Sequence, residues 1–195
     1  DLLADRAPKL AATMRERAAV YVDGFLAAPH DLEKGVFVIS SRQSDNSVVK
    51  AMPIWGSEYG VWPASYIALT CLCVHRLTGD QRLLAWARAV GECYRAQDFP
   101  VGASVPAMDA GLGLGLLADL FDIAGEAAWL TSAAELAEQL VSIYFDDAPL
   151  PCGAAGIDWY ESQMGPGFLL HGLARTALLA RERTACPLDA DYTAR

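Results

Sequence analysis

Two absences narrow the field before any motif is read. Positive charge is scarce: 15 Lys and Arg stand against 24 Asp and Glu in 195 residues, a formal net charge of −9. A nucleic-acid binder normally carries a basic stripe, so that class is set aside. An anionic membrane surface is disfavoured for the same electrostatic reason, although a local Arg cluster can still serve a polyanionic substrate. Long apolar runs are also missing. No stretch approaches the roughly 20 residues that span a bilayer, and no leader pattern opens the chain. The first residue is Asp1 rather than Met. An incomplete N-terminus is therefore expected, with a cytoplasmic location as the default.

Cysteines are few and odd in number, five in all. None shows the CxxC or Cys/His spacing of a zinc site. Cys71, Cys73 and Cys93 fall in apolar helical stretches and read as reduced core residues. Cys152 and Cys186 fall in loops, where pairing is the alternative. There is no GxSxG elbow, HExxH or Walker sequence. Gly111, Gly113 and Gly115 follow no strand and precede no GK[ST], so they read as close-packing positions and not as a phosphate loop. No metal and no cofactor is expected.

What is present is a globular composition, 53% hydrophobic and 20% charged, on a chain long enough for one domain over residues 1–195 with a real core. Residues 9–27 place Leu10, Met14, Ala18 and Val22 at fourfold spacing, an amphipathic helix. "GVFVISS" reads as a strand, "RQSDNS" as a turn and "VVKAMPIW" as the returning strand, a hairpin near residues 35–54. Helices are then predicted over 63–77, 81–97, 109–123, 127–145 and 166–182. Pro63 suits a first turn, Gly79 a left-handed C-cap and Asp80 an N-cap. The helices at 63–77, 109–123 and 166–182 are apolar nearly all round and predict burial on most sides.

Aligning "TGD" (78–80) with "AGE" (124–126) gives a shift of 46 residues, at which Leu84 falls on Leu130, Ala87 on Ala133 and Val90 on Leu136. A helix hairpin recurring every 45 to 55 residues is itself a fold signal. Each unit has one helix to bury and one with a wet face, and such units share a core by stacking.

The stretches "YGVWPASYIALTCLCVHRLTGDQRLLAWARAV" and "DAGLGLGLLADLFDIAGEAAWLTSAAELAEQL" resemble the six-hairpin glycosidase superfamily of α/α toroids. They are similar to its inner helix, "TGD"-type turn and Ala/Leu-spaced outer helix. The resemblance covers roughly residues 55–182, about half of a full toroid. It implies an all-α fold of repeated helix hairpins, here a partial toroid with a short β-hairpin. The family includes glycoside hydrolases, sugar epimerases and polysaccharide lyases. An open half-ring would leave apolar inner helices uncovered, so a homo-oligomer, or completion by a missing portion of chain, is expected.

In such a toroid the loops running into the inner helices line the cavity. Three are found here, at 53–63, 105–111 and 154–167. All carry an acid, and two are rich in Trp and Tyr. Aromatic faces stack on sugar rings, and carboxylates bond hydroxyls or do acid/base work. The candidate catalytic residues are Glu161, Asp109 and His171. Flanking aromatics would desolvate Glu161, and His171 lies one turn into the last apolar helix. The candidate substrate-binding residues are Trp55, Glu58, Tyr59, Trp62, Asp158, Trp159 and Tyr160. Each has a plainer reading. The aromatics can plug the open ends of a bundle, and Asp109 can be a helix N-cap. Glu161 can be a first-turn acid, and His171 a satisfied core histidine. His30 and His75 read as structural, and Arg42 and Asp45 as a solvated turn. The expected function is action on a carbohydrate or related small molecule, most simply as a glycoside hydrolase. An epimerase or lyase on the same scaffold, or a non-catalytic binding or dimerisation module, is the alternative.

Overall fold

The computed structural model describes residues 4–57, 61–100, 102–182 and 188. Glu58, Tyr59 and Cys186 lie outside the described residues. The described chain is mostly helical. In order it runs α1 (Pro8–Leu26), β1 (Val36–Ser41), β2 (Val48–Pro53), α2 (Ala64–Thr78), α3 (Gln81–Ala96), α4 (Ala107–Ala124), α5 (Ala127–Phe145) and α6 (Pro166–Glu182). Short 3₁₀ turns stand at Leu32–Lys34 and Ser162–Met164. The two strands form one antiparallel hairpin. No described helix is long and apolar enough to cross a membrane.

The chain divides into two compact units. The first comprises Asp1–Asp31 and Val38–Ala51, that is, α1 and the distal part of the hairpin. Here Val38 N–H donates to His30 Nδ1 at 3.0 Å, and Asn46 Nδ2 donates to the Ala27 carbonyl at 2.8 Å. Asp45 accepts from Ser47 N–H and Oγ at 3.0 and 2.8 Å, which closes the turn and holds its carboxyl below the usual range. Among the residues of α1 only Ala11 is buried.

The second unit, Leu32–Phe37 with Met52–Arg195, holds α2 to α6. The punctuation in the sequence explains its boundaries. Gly79 ends α2 in the left-handed region at φ 74°, where a side chain would be strained. Asp80 then caps α3 by accepting from Arg82 N–H at 3.0 Å. His75 Nδ1 lies 2.9 Å from the Asp80 carbonyl across the same turn. Gly125 repeats the left-handed cap between α4 and α5 at φ 68°.

The Gly/Leu helix α4 is the centre of this unit and packs against α2, α3, α5 and α6. Its residues from Asp109 to Leu120 are buried without exception. The all-round burial expected of the other two apolar helices is corrected. Residues on α2 bury one face through Ala64, Ala68, Leu69 and Leu72. Along α6 the buried positions include Leu169, Arg175, Thr176 and Leu179, while Leu170 is exposed. Of these three helices α4 stands between the other two, packed against both α2 and α6. Glycine sets the α4–α6 spacing, because a Cβ on Gly111 would overlap the backbone of Phe168 and Leu169. Gly172 faces the Gly111 carbonyl from the other side.

Candidate functional site

The loops entering α2, α4 and α6 meet at one end of the second unit. Ala155 N–H donates to the Val105 carbonyl at 2.8 Å, and Ala107 N–H donates to that of Gly153 at 2.9 Å. The loop before α6 is thereby tied to the loop before α4. The loop before α2 reaches the same place through Ser57, whose Oγ donates to Asp109 Oδ2 at 2.8 Å while its N–H lies 3.3 Å away.

Asp109 is not the N-cap of α4. Pro106 holds that place, and Asp109 stands in the first turn, 0% exposed, with its carboxyl turned to Ser57 and Tyr94. The Tyr94 hydroxyl donates to the Ile54 carbonyl at 3.0 Å and lies 3.3 Å from Asp109 Oδ1. A hydroxyl has one hydrogen. Its single hydrogen is therefore shared between the Ile54 carbonyl and Asp109 Oδ1. Burial pushes the Asp109 carboxyl up to about 7, against the downward pull of its bonds to Ser57 and Tyr94. Burial likewise raises the Tyr94 phenol well above its ordinary value. Trp55 is buried edge-on to Tyr94, ring centroids 4.4 Å apart. A Cβ on Gly113 would crowd both rings. Trp55 therefore packs in the core.

The acid-aromatic run at 158–161 is placed elsewhere. Asp158, Trp159 and Tyr160 line a pocket of about 340 Å³ with Phe145, Asp146 and Leu150 at the C-terminal end of α5. Trp159 is 58% and Tyr160 48% exposed. Neither Asp109 nor Trp55 lines this pocket, so the surface that was to unite them with residues 158–160 is divided between a core and a pocket. The flanking aromatics do not enclose Glu161 either. It is half-buried, packs over Gly153, and accepts from Gln163 N–H at 3.2 Å as the cap of the 3₁₀ turn. Trp62 is exposed and stacks on Tyr66, centroids 4.1 Å apart, with Phe168 edge-on at 6.5 Å. His171 is half-buried on α6. Cys152 is a free thiol, and burial lifts the Cys71 thiol to about 12.

A second buried polar cluster lies three turns along α4 and was not anticipated. Asp119 is 0% and Arg175 of α6 1% exposed, and Arg175 Nη2 meets Asp119 Oδ1 at 2.5 Å. Arg76 of α2 meets Asp119 Oδ2 at 3.1 Å, and Asp122 lies 3.2 Å from Arg175. Arg175 also donates to the Leu188 carbonyl. These ion pairs join α2, α4 and α6. Burial raises the Asp119 carboxyl above its ordinary range, with the two guanidiniums pulling the other way. The signal was present in the sequence: an Asp within "GLGLGLLADLF" and an Arg within "HGLARTALLA" are charges in apolar helices, and buried charges require partners. Among the described residues no group of three His, Cys, Asp or Glu side chains is arranged to hold a metal ion. Compared with known proteins, the chain matches no family model, no curated protein and no solved structure.

Proposed function

We propose that the chain is a carbohydrate-active protein that holds a sugar in the pocket formed by Asp158, Trp159 and Tyr160 with the end of α5. The observation that carries this reading is the combination in that pocket. Two large aromatic side chains stand more than 45% exposed beside the carboxylates of Asp158 and Asp146. Exposed aromatic rings cover the apolar face of a pyranose, while carboxylates accept from its hydroxyls. A volume near 340 Å³ suits one or two sugar rings. The resemblance of the helix hairpins to the six-hairpin glycosidases supports the same substrate class by analogy only.

Glycoside hydrolysis is the reaction such a site would serve. It needs one carboxyl that keeps a proton for the leaving oxygen and a second that activates water or attacks. Asp146 and Asp158 line the pocket, and Glu161 directly follows its Tyr160 in sequence. A second reading, sugar binding without catalysis, is favoured by a specific observation. Asp109, whose carboxyl burial pushes up to about 7, is closed off from solvent and lines no part of this pocket.

Titration with a panel of mono- and oligosaccharides, followed by tryptophan fluorescence and calorimetry, tests the proposal. Trp159→Ala is expected to weaken binding about tenfold, the loss of one stacked ring. If no sugar in the panel binds, the carbohydrate reading fails. Glycosidic cleavage that disappears in Asp158→Asn or Glu161→Gln selects hydrolysis; binding without cleavage selects the second reading.

A further inference from the structure

An apolar groove of about 570 Å³ runs between α5 and α6. Ala134, Ala137, Glu138 and Val141 of α5 form one wall, and Leu173 and Thr176 of α6 contribute to the other. The internal repeat indicates what such a groove receives. The 46-residue shift lays Arg88, Gly91, Glu92 and Arg95 of α3 onto those four α5 residues in order.

On α3 that face meets side chains of α5 and of its N-cap residue. Arg88 pairs with Glu126 at 2.6 Å, and Arg95 Nε donates to Ser132 Oγ at 3.2 Å. Both guanidiniums lie over the Trp129 ring, at 5.7 and 4.8 Å from its centroid. Gly91 leaves the space that the ring edge approaches. The equivalent face of α5 borders an open groove. Thr176 at this groove is 2% exposed, and its hydroxyl has no hydrogen-bond partner among the described residues.

The wall also specifies its occupant. Ala134 and Val141 stand where α3 has two arginines, so the incoming helix meets an apolar surface with one carboxylate, Glu138, in the middle. The matching pattern occurs in α1. Leu10, Met14, Arg17 and Tyr21 follow 4-3-4 spacing on one helical face. Leu10, Met14 and Tyr21 are 49–74% exposed, and Arg17 is the one base within the stripe. We infer that the α5–α6 groove receives α1 of a second copy of this chain, with Arg17 against Glu138.

Sedimentation velocity across a concentration series tests this on the wild type, Glu138→Arg, Arg17→Glu and the double reversal. Both positions are exposed, so the fold is expected to survive, with circular dichroism as the check. The wild type is expected to dimerise. Each single reversal raises the dissociation constant about tenfold or more, and the double reversal largely restores it. A wild type that stays monomeric at every concentration overturns the inference. So does a dimer indifferent to the single reversals, or one that the double reversal does not rescue.

Discussion

Asp109 and Asp119 lie on the same helix, about 15 Å apart along its axis, and both are 0% exposed. Their neighbours make them different chemical objects. Asp109 meets two hydroxyls and a backbone amide, with no cation among its hydrogen-bond partners. Asp119 meets two guanidiniums, which stay charged at any accessible pH. One end of α4 thus keeps a proton near neutrality, and the other keeps an ion pair. Burial is common to both and raises both carboxyls; at Asp119 the two guanidiniums oppose that rise.

The contrast is broken most severely at the ionic end. Asp119→Asn leaves the guanidinium of buried Arg175 without its main counter-charge. A loss of about 3–5 kcal/mol in denaturant-measured stability is expected. A loss under about 1 kcal/mol would mean that Asp122 alone satisfies Arg175.

The proton-holding end should respond in the opposite sense. The Asp109 carboxyl is raised in the fold, from 3.8 to about 7, so the native state binds the extra proton. Its contribution to stability is therefore full below about pH 4, falls as pH rises to about 7, and is flat beyond. Asp109→Asn imitates the protonated acid and should remove that fall. At pH 8 the variant is expected to be more stable than wild type by roughly 2–4 kcal/mol, and at pH 4 nearly equal to it. Parallel stability curves for the two proteins would contradict the assignment.

Tyr94→Phe gives the smallest effect. It removes one buried bond to the Ile54 carbonyl, and a cost of about 1 kcal/mol is expected. The fall with pH should steepen slightly, because the ionised Asp109 loses a neighbouring hydroxyl.

The same contrast separates what could be read from the sequence from what could not. Helix boundaries are local matters. Pro63, Gly79 with Asp80, and Gly125 act within a few residues of themselves, and the predicted 127–145 and 166–182 coincide with α5 and α6. The partners of buried charges are not local. Asp109 is held by Ser57, 52 residues away, and Asp119 by Arg175, 56 residues away. Nothing in the spacing of "VPAMDAG" distinguishes a cap from a buried acid, because that depends on where the loop before α2 comes to rest. The aromatic run at 158–160 was recognisable as unusual. Its assignment to the end of α5 follows from Cys152 N–H donating to the Tyr144 carbonyl at 2.7 Å, a link without a sequence signature.

The most direct test of the central claim is a carbon-13 NMR titration of the aspartate carboxyls, with Asp109→Asn and Asp119→Asn used for assignment. The account predicts that the Asp109 resonance moves with a midpoint near 7. The Asp119 resonance, opposed by two guanidiniums, should move at lower pH than that of Asp109. An Asp109 midpoint near 4, in the ordinary carboxylate range, would contradict it.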